Sequence, residues 1–172
     1  MGKGVDLWIN QHSLAQETTK PSEGHHLFRG ASSISIDAKG RIAMPARHRD
    51  ALQNLCEGQL VVTRDLSLPC LLVFPMPAWE RLEADLDKLS NTNPTHQRVK
   101  RILMGFATEV GVDSAGRILL PAVLREQATL DKDAMLVGQG KVFQLWDAAR
   151  WQEQIRTDID AHAADDLPHL SF

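Results

Sequence analysis

Polar and apolar residues alternate over Ser33-Ile34-Ser35-Ile36-Asp37 and again over Glu109-Val110-Gly111-Val112-Asp113, the period-two pattern of a strand with one buried face. Both stretches run into a tight connection, Asp37-Ala38-Lys39-Gly40 and Asp113-Ser114-Ala115-Gly116. The Asp of each can bond backbone two residues on, and the Gly accepts positive φ. Arg41-Ile42-Ala43-Met44 and Arg117-Ile118-Leu119-Leu120 then return as strands. Pro45 and Pro121 cannot continue a central strand but suit the first turn of a helix, so short helices are predicted over 45–55 and 121–130. A second hairpin is predicted over 59–75 and over 134–147, each followed by a helix. The first helix sets Trp79, Leu82, Leu86 and Leu89 on one face, and the second sets Trp151 and Ile155 likewise. Between them Asn93 and Pro94 start a linking helix with Val99, Ile102, Leu103 and Phe106 directed inward.

This order of elements is stated twice. Residues 37–49 and 113–125 are offset by 76 and identical at seven of thirteen positions. The match extends outward to Leu60-Val61 against Leu136-Val137 and, at an offset of 72, to Phe74 and Trp79 against Trp146 and Trp151. The expected organisation is a first repeat over 27–90, a linking helix over 91–102, a second repeat over 103–161 and a C-terminal tail over 162–172. Two units this small cannot each bury their own apolar face. The expected fold is therefore α+β, mainly β: one pseudo-symmetric barrel in which strands of one copy interleave with those of the other.

Composition narrows the function classes. The chain of 172 residues has no apolar run near the length of a membrane span, and its first 26 residues lack the apolar stretch of a signal peptide, so the expected compartment is the cytoplasm. Cys56 and Cys70 lie 14 positions apart without metal-ligand spacing and read as reduced and structural. Gly2-Lys3-Gly4 lacks the spacing of a phosphate loop. His25-His26 has no second ligand pair, so no metal or cofactor is expected, nor a small-molecule substrate. Cys70 and His48 do not form a credible nucleophile and base. Trp79, Trp146 and Trp151 sit among apolar neighbours and read as core anchors. Net charge is −3, yet residues 27–101 carry 11 basic and 8 acidic side chains while residues 102–172 carry 6 and 11. A site for a polyanion belongs in the first half.

The doubled D-x-x-G-R-[IL]-x-x-P-x-x-x-R signature, with Phe28-Arg29-Gly30-Ala31, the 68–80 stretch and the 135–147 stretch, closely resembles the MraZ family of bacterial transcriptional regulators, built from two SpoVT-AbrB-like repeats. The resemblance implies a swapped-hairpin (AbrB-like) barrel, a homo-oligomeric ring, and a nucleoid-associated protein binding double-stranded DNA at short G-rich direct repeats upstream of the division and cell-wall gene cluster. Leu27 holds the family's usual start position, so residues 1–26 are expected to be a disordered leader translated from upstream sequence rather than native protein. Two other classes remain open: an oligomeric protein-interaction scaffold that does not touch DNA, and an AbrB-type antitoxin.

The candidate DNA-binding residues are Lys39, Arg41, Arg47 and Arg49. A guanidinium meets a phosphate or the O6/N7 edge of guanine bidentately, and a two-stranded ribbon fits a major groove. Arg41 has a second role available, folding back on Asp37 to fix the turn, and both roles hold if Asp37 orients the fork. Asp37, Gly40, Asp113, Gly116 and Arg117 are assigned to turn structure. The second copy is chemically poorer, with Ala115 for Lys39 and Val123-Leu124 for Arg47-His48, so Arg117 and Arg125 are expected to partner Asp113 and Glu126. His96, Arg98, Lys100 and Arg101 read as a solvated helix face, as do Glu80, Glu83, Asp85 and Asp87. The helices over 77–89 and 94–106 are expected to leave apolar surface for subunit contacts.

Overall fold

The computed structural model describes residues 27–161. The expectations for 1–26 and 162–172 fall outside those residues. In chain order the elements are β1 (Phe28–Ser35), β2 (Arg41–Ala43), α1 (Ala46–Cys56), β3 (Gln59–Arg64), β4 (Leu71–Pro75), α2 (Met76–Asp87), α3 (Pro94–Leu103), β5 (Thr108–Gly111), β6 (Arg117–Leu119), α4 (Ala122–Gln127), β7 (Asp133–Gly140), β8 (Phe143–Asp147) and α5 (Ala148–Asp160). Pro45 and Pro121 stand as the N-caps of α1 and α4, and Asn93 caps α3 by accepting from the Thr95 and His96 backbone N–H groups.

Six strands form one antiparallel sheet in the order β1-β7-β8-β4-β3-β5, and β2 pairs with β6 in a separate ribbon. Exchanging the two copies leaves this order unchanged, read from the other end. β1 of the first copy lies on β7 of the second, and β5 of the second lies on β3 of the first. Each copy thus supplies the strand that completes the other's hairpin, the interleaving expected of units too small to bury their faces alone.

The sheet is open, ending at β1 and β5, which corrects the expectation of a closed barrel to a mixed α+β fold with an open sheet. β1 and β2 are joined only by a single bridge, Ile36 to Ile42. β2 and β6 are three residues long. With Pro45 and Pro121 following so closely, neither strand runs far enough to pair with its ribbon partner and also close the sheet.

The main core draws on both copies, with Ile42, Met44, Leu52 and Leu71 of the first packed with Ile118, Leu120, Leu124 and Phe143 of the second. Each is at most 1% exposed, and burial of such a side chain is worth about 1.5–3 kcal/mol. A smaller cluster joins Cys70, Val137 and Trp146, with Trp151 against it. The ring pairs Phe74–Trp79 and Trp146–Trp151 stand 5.7 and 5.9 Å apart, repeat equivalents in space as in sequence. α3 is tied to β3 where Thr63 Oγ1 donates to the Leu103 carbonyl at 2.7 Å. Of its apolar stripe only Leu103 is buried; Val99, Ile102 and Phe106 are half-buried, as are Leu82 and Leu89, and Met104 is exposed.

Candidate nucleic-acid interface

The β2–β6 ribbon sets Arg41 opposite Leu119, Ile42 opposite Ile118 and Ala43 opposite Arg117. Ile42 and Ile118 are buried in the core. Strand alternation therefore places Arg41, Ala43, Arg117 and Leu119 on the other face, where Leu119 is 56% exposed. The two arginines of the doubled motif thus share one outward face of a two-stranded ribbon.

Each arginine is hung on the aspartate that opens its turn. Asp37 Oδ1 accepts from the Lys39 and Arg41 backbone N–H groups, both at 2.9 Å, and Oδ2 accepts from Arg41 Nε at 2.7 Å, with Arg41 Nη2 also at 2.7 Å. Asp113 repeats the set: Ala115 N at 2.9 Å, Arg117 N at 2.8 Å and Arg117 Nε and Nη2 at 3.1 Å. The carboxyls of Asp37 and Asp113 are held below the ordinary carboxylate range, first by the backbone N–H of Arg41 or Arg117 and further by that arginine's side chain. An ionised carboxylate that binds Nε and one edge of Nη2 leaves the remaining N–H groups of the fork pointing away from the turn. Both roles considered for Arg41 are therefore compatible in one geometry.

Gly40 and Gly116 take φ of 82° and 74°, and each amide donates to the Asp carbonyl at 2.8 Å. Against these glycines lie arginines of the opposite copy. A Cβ at Gly40 would stand 2.9 Å from Cζ and Nε of Arg125, and one at Gly116 would stand 2.5 Å from Nε and 2.6 Å from Cζ of Arg49. Arg49 Nε donates to the Met44 carbonyl at 2.7 Å, whereas Arg125 Nε is buried with no acceptor among the described residues. Arg125 also forms no ion pair with Glu126 among the described residues, contrary to expectation. Interleaving brings both arginines to the opposite copy's turn. The Met44 amide donates to the Gly116 carbonyl and the Leu120 amide to the Gly40 carbonyl, at 2.8 and 2.9 Å, so each helix start abuts the other copy's turn. Sequence reasoning missed this cross-copy placement of Arg49 and Arg125, although the P-x-x-x-R spacing common to both copies was its one available signal.

Lys39 is exposed at the turn beside Arg41. Arg47 is held along β1 instead: its Nη2 donates to Ser32 Oγ at 2.7 Å and its Nε to His48 Nε2 at 3.1 Å. His48 is buried between the rings of Phe28 and Phe143 at 5.6 and 5.1 Å, and burial, with the adjacent Arg47 charge, lowers its pKa. Burial pushes the Cys70 thiol up to about 12, so it is no nucleophile at neutral pH. On α3, Lys100 Nζ donates to Asn91 Oδ1 at 2.8 Å and His96 Nδ1 accepts from the Ser90 amide at 3.1 Å, while Arg98 and Arg101 are exposed. Among the described residues no group of three or more His, Cys, Asp or Glu side chains is placed to hold a metal ion, and no helix is long and apolar enough to cross a membrane.

A family model described as "MraZ protein, putative antitoxin-like" matches residues 27–102 and 103–167. Among similar proteins, the transcriptional regulator MraZ of Shewanella amazonensis is 52% identical over 141 residues, spanning 82% of this chain and 93% of that protein. Those of Sodalis glossinidius and Serratia proteamaculans are each 49% identical over 142 residues, spanning 83% of this chain and 93% of theirs.

Proposed function

The chain belongs to the MraZ family, whose named relatives are transcriptional regulators and not enzymes, and from that premise we propose that it is a cofactor-free, sequence-specific DNA-binding regulator whose reading head is the β2–β6 ribbon. The observation that carries this is the pair of forks, Arg41 and Arg117, on one exposed ribbon face with their carboxylates spent on orienting them. A ribbon of this width enters a major groove, and an oriented guanidinium reads O6 and N7 of guanine, which suits short G-rich direct repeats. Lys39 adds a phosphate contact beside Arg41. Arg47 and Arg49 serve the site from α1, Arg47 along β1 and Arg49 at the Gly116 turn. Few cations per subunit make the phosphate contribution small, so the working form is a homo-oligomeric ring reading several repeats at once, in the cytoplasm at the nucleoid. The half-buried stripes of α2 and α3 supply apolar surface for that assembly.

Gel shift and anisotropy titration on DNA from upstream of its own gene test the reading. Wild-type protein is expected to prefer intact G-rich repeats over scrambled ones. Arg41→Ala is expected to lose about 1–3 kcal/mol per subunit, multiplied across a ring, and Arg117→Ala to lose less, since Ala115 stands where the first turn has Lys39. No binding to either duplex, with the oligomer intact in light scattering, would replace this reading with that of a protein-interaction scaffold, and equal affinity for both would remove the sequence specificity.

A further inference from the structure

Each ribbon arginine is held by its own copy's aspartate, yet a Cβ added at either turn glycine would meet a guanidinium of the opposite copy. We propose that Arg125, laid across Gly40, is a positioning residue that holds the first copy's turn, and with it the Arg41 fork, in the geometry that meets DNA; Arg49 does the same for the Gly116 turn. This inference rests on the ribbon being the DNA-binding face.

The approach is so close that a single added methyl group at Gly40 would sit 2.9 Å from Arg125. Gly40 has the positive φ at which only glycine is at ease. Its amide is bonded to the Asp37 carbonyl, and its carbonyl receives the amide of Leu120, one residue before the Pro121 cap of α4. Asp37 in turn grips the backbone and the fork of Arg41. A displacement of Gly40 therefore passes directly to the Arg41 guanidinium through the bonds of one four-residue turn. Arg49 is fastened in place by its bond to Met44, but Arg125 Nε has no acceptor among the described residues. Among the described residues the Arg125 guanidinium is kept over its turn by packing, with no hydrogen bond at Nε. Its Nε is buried, so the atom faces the protein and not a groove. The second copy, poorer in charge, thereby contributes to recognition by bracing the richer one.

Arg125→Ala, Arg125→Lys, Arg41→Ala and the Arg41→Ala/Arg125→Ala double variant of the full chain are compared by anisotropy on a G-rich repeat duplex at several salt concentrations. Hydrogen exchange is followed at the Lys39, Gly40 and Arg41 amides without DNA. A positioning role predicts about a tenfold loss of affinity for both Arg125 variants, a fraction of the range a bidentate contact spans. It also predicts an unchanged salt slope, no further loss when Arg125→Ala is added to Arg41→Ala, and faster exchange at the three amides. A salt slope lowered by about 1, with affinity restored by Arg125→Lys, would make Arg125 a phosphate contact and overturn the proposal. Unchanged amide exchange, or an equal loss of affinity on top of Arg41→Ala, would overturn it as well. If Arg125→Ala does not fold, Arg125→Lys carries the same comparisons, because it keeps the charge and removes the planar group over Gly40. If Arg41→Ala binds like wild type, the DNA-face reading fails, and amide exchange still decides whether Arg125 braces the turn.

Discussion

Gly116→Ala probes the cross-copy contact where it is tightest. With φ at 74°, alanine there pays the penalty of a Cβ in left-handed backbone, about 1–2 kcal/mol. The new Cβ would lie 2.5 Å from Arg49 Nε, so the side chain must move and its bond to the Met44 carbonyl is lost, a further cost of about 0.5–1.5 kcal/mol. Stiffening of the unfolded chain returns about 0.4–1 kcal/mol. The net loss is about 2 kcal/mol, or roughly 4–8 °C in Tm for a chain of this size. Thermal and urea denaturation at one fixed protein concentration measure it, since oligomerisation ties apparent stability to concentration. The decisive comparison is a double-mutant cycle with Arg49→Ala. With the guanidinium gone, the same alanine should cost only its backbone penalty, about 1 kcal/mol less. An identical cost in both backgrounds would show that Arg49 does not bear on the turn in solution.

Acid stability reports on His48. Its pKa is lowered in the folded protein, so as pH falls below about 6.5 the unfolded chain takes up a proton that the native state resists. Unfolding midpoints should therefore fall between pH 7 and pH 5, with a shallower decline in His48→Gln; an unchanged decline in that variant would assign the effect to other groups. The Cys70 thiol, at about 12 and fully buried, should resist iodoacetamide at pH 8 in native protein and react in urea, and native labelling read by peptide mass would contradict the burial.

The elements were largely legible in the sequence because three devices recur at one offset. Alternation in 33–37 and 109–113 marked strands, Asp and Gly at fixed spacing marked turns, and Pro45 and Pro121 marked helix starts. The Arg41–Asp37 pair was legible too, since four residues spanning a tight turn bring those side chains together. Partner choice was the hidden part. A period of two says which face of Arg41-Ile42-Ala43 is buried, but not that the strand opposite is Arg117-Ile118-Leu119. The closed barrel was expected from the family and from interleaving alone, and strand length, set by the prolines, decided for an open sheet. Arg47, Arg49 and Arg125 look alike in sequence as exposed cations. What separates them is the neighbour each meets: Ser32 and His48 of its own copy for Arg47, Gly116 of the opposite copy for Arg49, and Gly40 of the opposite copy for Arg125.

The division of labour between the copies follows from that arrangement. The aspartate, glycine, proline and two arginines that both copies retain in the motif serve the reciprocal geometry: the aspartate holds its own arginine, the glycine admits the other copy's guanidinium, the proline starts the helix that carries it. The glycine and the second arginine cannot change in one copy without disturbing the contact with the other. Lys39 and Arg47 lie outside this circuit, and their counterparts are Ala115 and Val123, the latter 50% exposed. Charge at those two places is therefore free to differ between copies while the fold is kept. Interleaving thus constrains shape in both repeats and leaves chemistry unconstrained in one. Substitution at 39 should accordingly move affinity with little change in melting temperature, substitution at 47 also removes the bonds to Ser32 and His48, and those at 40, 49, 116 and 125 must move the turn itself.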